Sequence, residues 1–474
     1  MRGNNVNGAI EKPSIIDVGQ IIDNSKLNPV SIGVILLCGI IMLMDGFDYT
    51  IITVAGPVIR REWNVGAKLF GFVFSAAFLG YLFGALIFGI LSDRIGRKKT
   101  LIIASCIFTV GTLLVYFSHS VLTLIPIRVF TGIGIGGAVP CAITLTSEYA
   151  PLKGRGKYIS VMYSGFLTGI VLGGFVAGFL LEDFGWRPLF LIGFIAPLVA
   201  IILLMFKLPE SARWLAARKQ SEEQRQSLAA VVRKMRPDSS ISPDAQFVSA
   251  AANKNASSFN ELFRGRLAWV TPTVWGYYLI SSIAVFFIGS WSPQLLVIKG
   301  YSPSTGAYIT GWSGVVVAAG CLLSGFYFDK AGFRSGWILH VIAAIAVIFT
   351  GGLQAMNFVV LLIASAFFIN SAHMDVTILA PIVYPPSCRN RGAGMAIATA
   401  RIGAMIGPVI GGFLLDTEIP MERLLGLVAV PLVIAAALCY IAGRQYDFYF
   451  APLYAGKLPG GTEPDTAKAS KSNY

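Results

Sequence analysis

Twelve runs of about twenty mostly apolar residues, separated by polar segments, constrain this chain more than any other feature of its sequence. A helix of that length crosses the hydrocarbon core of a bilayer, where every backbone hydrogen bond must be made internally. The composition agrees, because only 13% of the 474 residues are charged, against about 25% in soluble domains. We predict an all-α membrane protein with twelve transmembrane helices.

The runs form two sets of six on either side of a polar stretch. The first set lies near residues 30–55, 69–91, 100–118, 121–148, 157–181 and 187–208, and the second near 270–297, 306–328, 336–356, 358–383, 391–415 and 424–444. We therefore predict a cytoplasmic N-terminal segment (1–29), an N-terminal six-helix bundle (30–208), a solvated cytoplasmic linker with one or two short helices (209–268), a C-terminal six-helix bundle (269–444) and a cytoplasmic C-terminal tail (445–474).

Lysine and arginine concentrate in alternate loops and in the linker. The positive-inside rule places these loops and both termini in the cytoplasm, so we expect a multi-pass protein of the cytoplasmic (inner) membrane. We attribute the net charge of +13 to topology and contacts with the lipid bilayer rather than to a nucleic-acid partner. The six cysteines lie far apart without a C-x-x-C pair, so we expect no disulfide, metal site or cofactor.

The two halves of the chain repeat one another. Gly89-x-x-x-Asp93-Arg94-x-Gly96 recurs as Gly325-x-x-x-Asp329-Lys330-x-Gly332, and Arg155-Gly156 recurs as Arg391-Gly392, both with an offset of 236 residues. An offset of half the chain indicates a duplicated six-helix unit, and transporters built from such repeats bind their substrate between the halves. We predict two pseudo-symmetric six-helix bundles around a central site.

The first apolar run contains two acids, Asp45 and Asp48. An ionised carboxylate in a bilayer costs at least about 2.5 kcal/mol, so intramembrane acids mark functional sites. Their spacing of three residues places both on one helical face, beside Tyr49. Because adjacent buried acids can retain a proton near neutral pH, we assign Asp45 and Asp48 to proton coupling.

Other ionisable residues also lie inside apolar runs. Arg401, deep in the eleventh run, can bind a substrate carboxylate or pair internally with Asp375 or another acid. Arg128 in the fourth run can snorkel to the interface or pair with an acid. We consider His373 in the tenth run a better functional candidate than the lone His340, which we interpret as a packing residue. We assign substrate binding to Arg401, Arg128, Tyr49, His373 and Asp375.

The segment from Gly89 to Lys99 is the most specific motif in the chain. Glycines let helix ends approach closely, and an acid beside an arginine can form an ion pair that is made in one conformation and broken in another. We assign gating to Gly89, Asp93, Arg94, Gly96 and Arg97, and to Asp329 and Lys330 of the second copy. A topology anchor is the alternative, and the second copy has Phe333 where the first has Arg97.

This segment closely resembles the loop between the second and third helices of the major facilitator superfamily. The segment from Pro209 to Leu215 resembles a box shared by its sugar, organic-ion and aromatic-acid porters. Four motifs resemble the superfamily's aromatic acid:proton symporters of the 4-hydroxybenzoate and protocatechuate type: Asp45-Gly46-Phe47-Asp48, Trp291-x-Pro293-x-Leu295-Leu296, Tyr384-Pro385-x-x-x-Arg389-x-x-Gly392 and Arg401-Ile-Gly403-x-x-x-Gly407-Pro408. The resemblance covers Leu27 to Gly443.

The resemblance implies proton-coupled uptake (symport) of an aromatic carboxylic acid such as a hydroxybenzoate, by a monomer that works by alternating access. Asp45 and Asp48 would be required for transport, and Arg401 would lie near the substrate carboxylate. A porter for a non-aromatic monocarboxylate or another small metabolite is the alternative. A drug exporter is disfavoured because Gly174 stands where antiporters of the superfamily have a proline, and an enzyme because no nucleophile or metal-ligand motif is present.

Overall fold

A computed structural model describes residues 15–218, 220–235, 246–249, 259–385, 388–417 and 419–449. The first half contains β1 (Ile15–Asp17), α1 (Val18–Asp23), α2 (Pro29–Trp63), α3 (Ala67–Ile95), α4 (Arg97–Tyr116), α5 (Val121–Tyr149), α6 (Arg155–Phe184) and α7 (Arg187–Lys207). Between the halves lie α8 (Ala212–Ala216), α9 (Glu222–Met235), β2 (Gln246–Val248) and a 3₁₀ helix (Phe259–Phe263). The second half contains α10 (Leu267–Ile298), α11 (Pro303–Ala331), α12 (Phe333–Gly351), α13 (Ala355–Val383), α14 (Arg389–Leu415) and α15 (Met421–Tyr449).

Within the part of the chain that the structure describes, twelve helices are long and apolar enough to span a membrane, namely α2–α7 and α10–α15. This confirms the predicted fold class.

Several helices extend beyond the predicted apolar runs, because polar residues also occupy their first and last turns. Before α2, the Asn28 side chain accepts a hydrogen bond from the Ser31 backbone N at 3.0 Å, as a helix cap does. Helix α15 continues to Tyr449, past the boundary predicted at 444. Residues 1–14 and 450–474 of the predicted terminal segments lie outside the described residues.

Glycines bring the helices of the N-terminal half into backbone contact. A Cβ atom at Gly46 or Gly169 would lie 2.0 Å from a backbone oxygen across the interface of α2 and α6. Gly80 and Gly132 stand equally close across the interface of α3 and α5. Small residues permit such close approaches in membrane bundles. They hold α2, which carries both predicted acids, firmly against α6.

The part of the linker that the structure describes packs against the N-terminal half, where the sequence predicted a solvated segment. Leu228, Val232 and Met235 of α9 are buried in the same core as residues of α1, α2 and α8. Their spacing places all three on one face of α9, which gives the helix an apolar side to bury. Strand β1 pairs in parallel with β2 and so ties the N-terminal segment to the linker. We call this end of the bundle the linker side and the other end the far side.

The two halves are joined at the far side. The Asp416 carboxylate, just after α14, accepts hydrogen bonds from the backbone N of Ala67 at 2.5 Å and of Lys68 at 2.9 Å, at the start of α3. A carboxylate at a helix N-terminus is stabilised by the unpaired N–H groups there. Ser75 of α3 also donates to the Met405 carbonyl of α14 at 2.6 Å. These contacts close the far side of the space between the halves.

Helices α6 and α11 close the other edge of the far side. A Cβ at Gly174 would lie 2.5 Å from Gly311, and one at Gly178 would lie 2.7 Å from the Tyr308 ring. The linker-side ends of four helices lack such close contacts. A Cβ would meet no atom within 4 Å at Gly89, Gly156, Gly325 or Gly394. We interpret the space between the halves as a crevice that opens toward the linker side.

Candidate functional site

Asp48 is buried inside the N-terminal half. Its Oδ2 accepts a hydrogen bond from Arg128 Nη1 at 2.8 Å, and its Oδ1 accepts one from Thr112 Oγ1 at 3.0 Å. The side chains of Asp48 and Arg128 are only 1% and 3% exposed. Of the two alternatives for Arg128, pairing with an acid is the one observed. In this conformation its guanidinium pairs with Asp48, and its predicted role in substrate binding stays a prediction.

Asp45 lies one turn earlier on α2 in a different environment. It is partly exposed and makes no hydrogen bond or ion pair with any residue that the structure describes. The charged residues that act on it are Arg401 from the C-terminal half, Asp48 and Arg128. The two acids predicted as a pair are therefore divided, with Asp48 paired inside the bundle and Asp45 at the crevice.

Arg401 of α14 supplies the positive charge at the crevice. Its Nη2 donates a long hydrogen bond to Tyr81 Oη of α3 at 3.4 Å, and its guanidinium lies 4.1 Å from the centroid of the Tyr81 ring. It forms no ion pair with the described carboxylates, which do not include that of Asp375. A cation–π contact leaves the N–H groups at the edge of a guanidinium available to an anion.

Aromatic rings line the crevice beside these charges. The centroid of the Tyr49 ring lies 6.4 Å from that of Phe166 and 6.2 Å from that of Phe286, and Phe286 lies 4.8 Å from Phe78. All four residues are partly exposed. Because Phe286 belongs to the C-terminal half and the others to the N-terminal half, the rings bridge the two bundles. A planar ring can pack among them in offset or edge-to-face contacts.

Two histidines are connected in the C-terminal half. Ser281 Oγ lies 2.9 Å from His373 Nδ1 and 3.1 Å from His340 Nε2. His340 is fully buried, whereas His373 is partly exposed. The side chain of Asp375, also predicted to bind substrate, lies outside the described residues. His340, treated as a packing residue from sequence, is therefore hydrogen-bonded to a histidine at the crevice.

The predicted gating segment forms a network within the N-terminal half. Arg97 lies 3.2 Å from Asp93 Oδ1 through its Nη1 and 3.2 Å from Glu148 Oε1 through its Nε. The Arg94 side chain is exposed, and its carbonyl accepts a hydrogen bond from Arg218 at 3.0 Å. None of these contacts reaches the C-terminal half, and the gating role of the segment stays a prediction.

The second copy of the motif lacks such a network. Asp329 and Lys330 are exposed and make no hydrogen bond or ion pair within the described residues. Their role in gating stays a prediction.

Three residues that contact the predicted site or join the two halves were not predicted from the sequence: Tyr81, Ser281 and Asp416. Tyrosine and serine are common in membrane helices, so their presence alone does not indicate a site. Asp416 follows the eleventh apolar run, where an acid is usually solvated. Only the neighbouring helices reveal what each of these side chains contacts.

Comparison with known proteins extends these observations. The family sequence model of the Major Facilitator Superfamily matches residues 38–383. The benzoate transport protein of Acinetobacter baylyi is 30% identical over 92% of this chain and 95% of its own length. The 4-hydroxybenzoate transporter PcaK of Pseudomonas aeruginosa is 32% identical over 90% of this chain and 96% of its own. The solved structure of a bacterial homologue of the human lysosomal transporter Spinster has a TM-score of 0.71 at 18% identity, over 89% of this chain and 99% of that one, which shows a common fold.

Proposed function

This chain belongs to the major facilitator superfamily, and we propose that it carries a small aromatic carboxylate across the cytoplasmic membrane together with a proton. One observation carries the proposal: the Arg401 guanidinium, which no described carboxylate occupies, shares an aromatic-lined crevice with Asp45. Two relatives that match over nearly their whole length, a benzoate transport protein and a 4-hydroxybenzoate transporter, support the same class of substrate here.

In this proposal the two ends of the substrate meet different groups. The carboxylate binds the N–H groups of Arg401, because a guanidinium matches the two oxygens of a carboxylate in geometry and charge. The ring packs among Tyr49, Phe286 and their aromatic neighbours. Because groups from both halves contact one small molecule, its binding can influence how the halves move relative to each other.

Asp45 is proposed to couple the proton to the substrate. An ionised Asp45 would share the field of Arg401 with the anionic substrate and repel it. Protonation removes that negative charge, so the proton and the carboxylate favour each other's binding. Asp48 is already neutralised by Arg128, and we propose that this ion pair assists by holding α2 in place and by setting the charge balance around Asp45.

The orientation in the membrane is part of the proposal. By the positive-inside rule the linker side is cytoplasmic, as are both termini, and the described conformation is then inward-facing. Uptake by a monomer would require an outward-facing state, in which the far-side contacts of Asp416 break and the Gly89–Arg97 segment closes on the C-terminal half.

Uptake into proteoliposomes tests the proposal. Purified protein is reconstituted, a proton gradient is imposed, and accumulation of radiolabelled 4-hydroxybenzoate and benzoate is followed. We expect gradient-driven accumulation that Asp45→Asn abolishes, because an amide cannot release a proton, while equilibrium binding of the substrate is retained. The matched control is Asp183→Asn, which neutralises an exposed acid outside the crevice.

Two outcomes would change the proposal. Undiminished gradient-driven uptake by Asp45→Asn would remove Asp45 from the coupling scheme. Competition by aliphatic monocarboxylates but not by benzoates would assign the transporter to a non-aromatic substrate.

A further inference from the structure

A hydrogen-bonded chain of side chains runs through the C-terminal half to the crevice. His340 Nδ1 lies 2.9 Å from the Gly336 carbonyl oxygen, His340 Nε2 lies 3.1 Å from Ser281 Oγ, and Ser281 Oγ lies 2.9 Å from His373 Nδ1. His340 and Ser281 are buried, at 0% and 1% exposure, whereas His373 is partly exposed. The hydrogen-bonded chain therefore ends at His373, which a ligand can reach, and not at the buried His340.

The partners determine where the protons lie. A carbonyl oxygen only accepts, so His340 Nδ1 carries a proton and donates a hydrogen bond to the Gly336 carbonyl oxygen. With both imidazoles neutral, His340 Nε2 accepts from the Ser281 hydroxyl, and the Ser281 oxygen accepts from His373 Nδ1. In this arrangement each proton of the chain has an acceptor, as buried polar groups require. The assignment leaves His373 Nε2 unprotonated.

The Nε2 atom of His373 belongs to a partly exposed side chain. It makes no hydrogen bond with any residue that the structure describes, and the charge of Arg401 acts on the His373 ring. The Tyr277 ring packs against His340 with centroids 5.4 Å apart, which supports the buried end of the chain. A fixed acceptor is thus within electrostatic reach of the guanidinium that is proposed to bind the substrate carboxylate.

We propose that His373 Nε2 accepts a hydrogen bond from a hydroxyl group on the substrate ring, with Ser281 and His340 as positioning residues that hold the imidazole in the required tautomer. The inference rests on the proposed function, in which Arg401 binds the carboxylate. It makes His373 the residue that distinguishes hydroxylated aromatic acids from unsubstituted ones. An unsubstituted ring would leave Nε2 unpaired, so hydroxybenzoates should be preferred over benzoate by about tenfold.

The test compares KM values for proton-driven uptake of 4-hydroxybenzoate, 3-hydroxybenzoate and benzoate. The wild type should show a KM about tenfold lower for at least one hydroxybenzoate than for benzoate. His373→Leu should remove that preference by raising the KM for the hydroxybenzoate alone. Ser281→Ala should weaken the preference because the imidazole can then change tautomer, and Ser281→Thr, which keeps the hydroxyl, should restore it. Ser282→Ala is the matched control, because the buried Ser282 hydroxyl has no hydrogen-bond partner among the described residues.

Failure of the inference and failure of the proposed function give different results. Equal KM values for hydroxybenzoates and benzoate in the wild type, or an equal loss for both in His373→Leu, would overturn the inference and leave aromatic-acid transport standing. No proton-driven uptake of any aromatic acid by the wild type would overturn the proposed function itself. If His373→Leu does not fold, Ser281→Ala provides the same comparison with a smaller change in packing, and an unchanged preference in that variant overturns the inference.

Discussion

The turn between α3 and α4 and its repeat between α11 and α12 both use a glycine with a positive φ angle but differ in their side-chain contacts. Gly96 and Gly332 both have positive φ angles, of 101° and 54°, a region that favours glycine. Each glycine N–H also closes the preceding helix, on the Ser92 carbonyl at 3.1 Å and on the Phe328 carbonyl at 2.7 Å. The duplicated sequence motif therefore specifies the same chain reversal twice.

The two turns differ in the chemistry of the side chains around them. In the N-terminal copy, Glu210 Oε1 accepts hydrogen bonds from the backbone N of Arg97 at 2.8 Å and of Lys98 at 3.0 Å, which ties the start of α4 to the linker. In the C-terminal copy, Phe333 follows the glycine, and its ring lies 5.2 Å from that of Tyr446. One turn is held by charges and the other by apolar packing.

This difference suggests different roles for the two turns. Ion pairs and charge-assisted hydrogen bonds are directional and can exchange partners between conformations, whereas buried aromatic contacts favour one arrangement. We infer that the N-terminal turn changes partners during transport and that the C-terminal turn acts as a rigid corner. This inference replaces the gating role that the sequence predicted for Asp329 and Lys330. Three pairs of variants test this comparison, beginning with the largest expected effect.

Alanine at each turn glycine should destabilise the protein unequally. A Cβ at Gly96 would lie 2.3 Å from Glu210 Oε2, whereas no atom lies within 4 Å at Gly332. Gly96→Ala therefore adds displacement of the Glu210 cap to backbone strain, and we expect a loss of about 4 kcal/mol in the free energy of unfolding, against about 1–2 kcal/mol for Gly332→Ala. Thermal unfolding in detergent measures both, and equal losses would show that the cap contributes nothing.

Changing the residue after each glycine should separate transport from stability. Arg97→Met removes the ion pairs with Asp93 and Glu148, so we expect the maximal uptake rate to fall about tenfold with little change in KM. Phe333→Leu reduces packing and should lower the free energy of unfolding by about 1 kcal/mol, while uptake per folded molecule is unchanged. Initial uptake rates and unfolding curves are measured for both variants. A transport defect in Phe333→Leu would contradict the rigid-corner role.

Neutralising the acid of each copy should have the smallest effect on stability. The Asp93 side chain is 78% exposed, so its ion pair with Arg97 contributes about 0–1 kcal/mol. We expect Asp93→Asn to unfold nearly as the wild type does but to slow uptake, because Asp93 belongs to the predicted gate. Asp329→Asn, at an exposed acid without a described partner, should change neither stability nor uptake. Equal slowing by both variants would show that both copies act as gates.

Much of the architecture could be predicted from local sequence. Apolar length predicted the twelve helices, and the repeated motif indicated two related halves. The roles of the predicted site residues stay predictions, and their arrangement in space could not be predicted. Asp45 and Asp48 are three residues apart and so differ by about 60° around the helix axis. That angle is enough to turn Asp48 toward Arg128 and to leave Asp45 at the crevice.

By itself, the sequence determined that this chain is built from twelve apolar helices in two related sets, because hydrophobic length and repetition are properties of contiguous residues. The tertiary structure alone decided which polar groups meet: Asp48 with Arg128, His373 with His340 through Ser281, and Asp416 with the start of α3. Each of these contacts joins residues from different helices. Their distances depend on how every helix is rotated and packed against its neighbours, and no local pattern encodes that rotation.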